Sequence, residues 1–184
     1  MNRIKRLLDN YRRQLALPWS QRVSGPERVW CAVYPPEDER TLRAHLGEFK
    51  AATLAAGHAW AEHDVTHAFA EWLWALEYSE TYVEDPEALA SVVHQFTPTL
   101  GAQLQTFVAA QGPDCVVALH GVAGLFGAAR VSALLDEISG QIRGRLLVFF
   151  PGTYENRVYR LLDARDGWNY LATAITTEPT DSPR

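Results

Sequence analysis

Apolar positions recur along this chain with two different periods, and the switching between them sketches the fold. In residues 3–16, Ile4, Leu7, Leu8, Tyr11 and Leu15 fall at helical spacing, with Arg3, Lys5, Arg6, Arg12 and Arg13 on the remaining surface. This predicts an amphipathic helix with a basic outer side. Pro18, Gly25 and Pro26 mark residues 17–27 as a loop, and the apolar run from Val29 to Tyr34 reads as a strand. Pro35 and Pro36 stop it, and Glu37, Asp38 and Glu39 suit a helix N-terminus. That helix carries Leu42, His45, Leu46, Phe49 and Leu54 to about Ala56, with Gly57 as its cap.

A second strand is expected over residues 58–63. Asp64 then suits the N-cap of a helix bearing Val65, Phe69, Trp72, Leu73 and Leu76. Residues 78–111 are helical but interrupted, with Pro86 and Pro98 each opening a helix. Cys115, Val116, Val117, Ala118 and Leu119 form a third strand, residues 128–138 a helix, and residues 145–150 a fourth strand. Residues 158–162 and 169–175 are extended around a polar turn at 163–167, and residues 176–184 read as a flexible tail.

Strands alternating with helices predict a three-layer α/β fold, a mainly parallel sheet with helices on both faces. The last two extended segments can add an antiparallel edge hairpin near the C-terminus. Residues 1–175 are thus expected as a single α/β domain. The run Leu146, Leu147, Val148, Phe149, Phe150 suits a strand buried on both faces, and Pro151 and Gly152 are expected to end it in a turn. That turn falls at the carboxyl edge, where open α/β sheets usually hold ligands.

Composition narrows the function classes. The 184 residues are 47% hydrophobic with six tryptophans, enough for one substantial core, and the net charge is −5. With an isoelectric point near 5.7, this balance argues against a broad nucleic-acid-binding face. No secretory signal is read at the start, and no apolar run approaches the ~20 residues that span a bilayer, so a cytoplasmic protein without membrane contact is expected. Cys31 and Cys115 lie within predicted strands as buried free thiols.

Candidate chemistry is sparse. His58, His63 and His67 lie close in sequence, but an N-cap at Asp64 keeps His63 and His67 from sharing a helical face, and no metal site is assigned. Gly121, Gly124 and Gly127 follow a strand and precede a helix, the place of a phosphate-cradling loop, yet the chain lacks both the P-loop and the dinucleotide spacing. They remain the candidates for cofactor binding, although no cofactor is expected. No nucleophile elbow exists, and His120 is the best single titratable group without an identified partner. Pro151, Gly152, Tyr154, Arg157, Arg160, Trp168 and Tyr170, near Tyr159, form an aromatic and arginine cluster that suits either a docking surface or the core and rim of a hairpin.

The segment from Ala32 to Glu39, the strand and turn from Val116 to Val122, and the run Phe149, Phe150, Pro151, Gly152, Thr153, Tyr154, Glu155 fall in the order and spacing of the BrxB family. Tyr159, Arg160, Leu161 and Leu162, then Asn169 and Tyr170, continue the resemblance to about Ile175. The chain departs from the family pattern at Pro35, His120, Glu155 and Asn156. BrxB is a small component of BREX bacteriophage-exclusion systems. The resemblance implies a non-enzymatic interaction subunit whose partner is a PglZ-like protein of phosphatase fold, with the system's methyltransferase and ATPase as further candidates. The alternative is a small nucleotide- or phosphate-binding enzyme with a degenerate P-loop-like α/β fold.

Overall fold

A computed structural model describes residues 2–165 and 167–178. Among the described residues seven strands form one mixed sheet: β1 (Val29–Tyr34), β2 (Ala59–Asp64), β3 (Cys115–His120), β4 (Arg145–Glu155), β5 (Val158–Leu161), β6 (Trp168–Asn169) and β7 (Thr173–Ile175). Five of them run in parallel in the order β2-β3-β4-β1-β7. The α-helices that accompany them are α1 (Arg3–Leu15), α2 (Glu39–Ala55), α3 (Ala68–Trp74), α4 (Ser79–Glu84), α5 (Pro86–Val92), α6 (Phe96–Ala109) and α7 (Val131–Ile138).

The period of two along each strand divides the core. Trp30, Ala32 and Tyr34 of β1 join Val116, Ala118, Leu147 and Phe149 in a cluster with Ile4, Leu7 and Tyr11 of α1 and Leu42 and Phe49 of α2. Cys31 and Val33 join Val117, Leu119, Val148 and Phe150 in a second cluster with Phe96, Leu100 and Leu104 of α6 and Leu134 and Ile138 of α7. The uniformly apolar strands are therefore apolar because both of their faces are buried. On the first side, Tyr11 and Thr53 share a buried hydrogen bond of 2.6 Å that ties α1 to α2.

Three expectations need correction. Pro151 and Gly152 do not end β4, which continues to Glu155. Its parallel register with β1 stops at Tyr34 opposite Pro151, where no further ladder donor is needed, and β4 then pairs antiparallel with β5 from Gly152 opposite Leu161. A Cβ at Gly152 would overlap the Arg160 carbonyl, so the close approach of β5 requires glycine there. The extended segments at the C-terminus pair antiparallel as expected where Val158 faces Asn169, but β5 also pairs antiparallel with β4, and Thr173–Ile175 leaves the hairpin to join β1 in parallel. Finally, the helix expected from Val65 is confined to Ala68–Trp74, because Asp64 completes β2 and caps the following turn by accepting the Thr66 amide at 2.8 Å.

Carbonyls of Thr176 and Glu178 accept from the Asn10 amide at 2.8 and 2.9 Å, and that of Thr177 accepts from Arg6 at 3.0 Å. The rest of the expected tail, 179–184, lies outside the described residues.

The β4–β5 turn consists of Asn156 and Arg157 with φ of 52° and 65°. Positive φ at both central positions is the pattern of a type I′ hairpin turn, in which the second position favours glycine. Arg157→Gly should therefore stabilise the protein by about 1 kcal/mol, the cost of holding a side chain in the left-handed region. Thermal unfolding checks this, with a higher Tm expected.

Candidate functional site

The carboxyl ends of β1, β2 and β3 carry a continuous chain of polar side chains. Tyr34, the last residue of β1, donates its hydroxyl to Glu39 at the start of α2. Glu39 accepts from the Arg43 guanidinium at 2.8 Å, and Arg43 reaches across the sheet edge to donate to the Thr66 hydroxyl at 2.7 Å. That hydroxyl donates in turn to Asp64, the last residue of β2. Partial burial acts against the Asp64 carboxylate, but the Thr66 hydroxyl and amide, with His120 and Arg43 nearby, hold its pKa below the ordinary carboxyl range.

His120 sits beside Asp64 in register at the end of β3 and is 7% exposed. Its Nε2 lies 3.2 Å from Glu62 and its Nδ1 3.6 Å from Asp64. The partners missing from the sequence reading are thus Glu62 and Asp64, brought together by the period of two along β2 and by the parallel register with β3. An imidazole between two carboxylates can hold and pass a proton. Nucleophilic catalysis needs more, because the base must take the proton of the attacking hydroxyl. The Thr66 hydroxyl donates to Asp64 instead, and the polar contacts of the imidazole are both carboxylates.

Gly121 follows directly with φ +81°, and a Cβ there would overlap the Thr66 hydroxyl and the Asp64 carboxylate. At Gly124 a Cβ would overlap the Thr66 carbonyl. These two glycines therefore let the loop after β3 pack against the loop after β2, and Thr66 occupies the space beside them. Gly127, also at φ +81°, has open space around it and lines a groove of about 950 Å³ with Phe126, Arg130 and Trp168.

The histidines of the sequence cluster separate. His58, at the opposite end of β2, stacks on Trp19 with ring centroids 3.8 Å apart and meets Asp114 at 2.5 Å, whereas His63 lies against Phe107 at 4.9 Å. Among the described residues no group of three or more His, Cys, Asp and Glu is placed to hold a metal ion. Cys31 and Cys115 are buried free thiols, and burial pushes the Cys31 thiol up to about 12, well away from reactivity.

The C-terminal cluster is assembled as a hairpin core. Tyr159 is fully buried, stacks on Trp168 at 4.9 Å and meets Tyr154 at 4.5 Å and Phe150 at 5.8 Å. Trp168 meets Tyr170 at 5.6 Å. Pro151 and Gly152 are buried, Tyr154, Trp168 and Tyr170 are half-buried, and only Arg157 and Arg160 of the seven candidates are exposed.

Exposed apolar anchors occur elsewhere. Trp74, Tyr78 and Val83, on α3, α4 and the turn between them, are 59%, 61% and 51% exposed. The acidic residues Glu71, Glu77, Glu80, Glu84, Asp85 and Glu87 surround them in sequence, and all are exposed. Residues 51–129 hold nine of the chain's 22 acidic residues and none of its 17 lysines and arginines. Hydrophobic periodicity does not mark this segment as a surface, although the spacing of basic residues signals it.

Comparison with protein-family models, curated proteins and solved structures finds no match to this chain. Among the described residues, no helix is long and apolar enough to cross a membrane.

Because Gly121 combines a left-handed backbone with the closest approach to Thr66, Gly121→Ala should destabilise the protein by roughly 2 kcal/mol or more. Chemical denaturation should show a lower midpoint, and Gly127→Ala, with open space around it, should show a smaller loss. Equal losses would contradict the packing role assigned to Gly121.

Proposed function

We propose that this chain is a non-enzymatic interaction subunit, a cytoplasmic three-layer α/β unit that docks a larger protein through its acidic, aromatic α3–α4 segment. The observation that carries this reading is the exposure of Trp74, Tyr78 and Val83 on a stretch rich in carboxylates and free of lysine and arginine. Tryptophan and tyrosine supply most of the hot-spot energy at protein interfaces, and a rim of one charge sign selects a partner of the other. The partner surface is accordingly basic around an apolar pocket. Nucleic acid is disfavoured at this face, since phosphates would meet carboxylates.

The resemblance to BrxB points to a PglZ-like protein as that partner and to a BREX phage-defence complex as the assembly, with the methyltransferase and ATPase as further components. The carboxyl edge supports an adaptor over a nucleotide enzyme, because Thr66 fills the space beside Gly121 and Gly124.

Calorimetry with a purified PglZ-like partner tests the reading. The Trp74→Ala, Tyr78→Ala double variant should weaken binding at least tenfold with its Tm unchanged. Glu77, Glu80 and Glu84 changed together to glutamine should weaken binding and flatten its salt dependence. Unchanged affinity in both variants would overturn the assignment of the surface, and absence of binding by the unaltered chain would overturn the assignment of the partner.

A further inference from the structure

At the amino-terminal edge of the sheet, opposite the polar chain, the first residue of β4 is a buried arginine. Arg145 is 5% exposed. Its guanidinium lies 5.0 Å from the centre of the Trp19 ring and 5.9 Å from that of Trp30, and it donates to the carbonyls of Gly144 at 2.9 Å and Ser20 at 3.1 Å. Those bonds occupy two of the five N–H groups that an arginine carries. Among the described residues no carboxylate pairs with Arg145.

Two further observations converge on the same place. The Trp19 indole N–H is buried without a hydrogen-bond partner. Arg28 brings a second positive charge nearby, spending its own donors on the carbonyls of Gln21, Ile142 and Arg143. Gln14, Trp19, Ser20, Trp30, Arg145 and Thr173 line a cavity of about 140 Å³ here. Glu27 also borders it, but its carboxylate is held by the Ser24 amide at 2.9 Å and hydroxyl at 2.6 Å.

A buried cation is costly unless an anion or a full set of acceptors meets it, and an unpaired buried indole N–H adds to that cost. A guanidinium stacked on indoles keeps its edge available for two parallel hydrogen bonds to a planar or tetrahedral oxyanion. The volume suits a group of a few heavy atoms and is too small for a nucleotide. We propose that this cavity binds a small oxyanion, a carboxylate or a phosphate, held by the Arg145 fork with the Trp19 indole N–H as a further donor. The site is separate from the α3–α4 surface and stands without the docking reading.

Thermal unfolding and intrinsic tryptophan fluorescence, followed during titration with sodium acetate, phosphate and sulfate against sodium chloride of equal ionic strength, test the proposal. The expected result is a saturable rise in Tm and a saturable change in tryptophan emission for at least one oxyanion, with chloride giving neither. Acetate acting alone would identify a carboxylate site, and phosphate and sulfate acting together a tetrahedral-anion site. Arg145→Lys, which keeps the charge but loses the fork, should weaken the apparent affinity at least tenfold, and Trp19→Phe should weaken it several-fold. Arg145→Met, which removes the charge, should abolish the oxyanion effect, and should it fail to fold, the other two variants carry the test. No oxyanion effect beyond that of chloride, or an undiminished effect in Arg145→Lys and Trp19→Phe, would overturn it.

Discussion

The parallel pairing of β4 between β3 and β1 is the constraint on which the molecule depends. Leu147 and Phe149 point into one core cluster, and Leu146, Val148 and Phe150 into the other, so a single strand joins α1 and α2 to α6 and α7. Each such side chain contributes about 1.5–3 kcal/mol on burial, and five in succession anchor both faces. A one-residue slip in register would exchange the two sets and bring Phe149 and Phe150 against the wrong helices. Past Pro151 the same strand loses its parallel neighbour and becomes the first arm of an antiparallel hairpin, whose Tyr159 returns to the core.

The two ends of this sheet differ in how they handle charge. At the carboxyl edge, hydrogen bonds run from Tyr34 through Glu39, Arg43 and Thr66 to Asp64 and tie α2 to the loop after β2, while His120 meets Glu62 through Nε2 and leaves Nδ1 without a hydrogen bond. At the amino edge, Arg145 and Arg28 face backbone carbonyls and indole rings. A satisfied network rigidifies, whereas a buried cation with unspent donors invites a ligand. The side of the sheet expected to bind ligands thus carries its charges in carboxylate pairs, and the buried cation without one lies at the other.

Much of the core could be read in advance, because uniformly apolar runs and helical stripes respond to the same burial that the folded chain shows. The strands over residues 29–34 and 115–120 and the apolar stripe of α1 follow directly from periodicity. Pro151 and Gly152 misled because strand breakers are also used where a strand changes partners, and the sequence carries no mark of the second partner until β5 is placed. The Glu62, Asp64 and His120 grouping depends on a register between segments nearly 60 positions apart, and the meeting of Trp19 with Arg145 on a loop contact across more than twice that separation. The long run without lysine or arginine was open to inspection, but its meaning depends on Trp74 and Tyr78 being exposed, which periodicity alone does not reveal.

The proposed function puts the partner contact on the α3–α4 surface and leaves the carboxyl edge free of it. Hydrogen–deuterium exchange of the chain, alone and in complex with a PglZ-like partner, tests it most directly, because each backbone segment reports separately. Added protection concentrated in residues 71–87, with residues 121–127 unchanged, is the predicted result. Added protection at residues 121–127, with residues 71–87 unchanged, would contradict it.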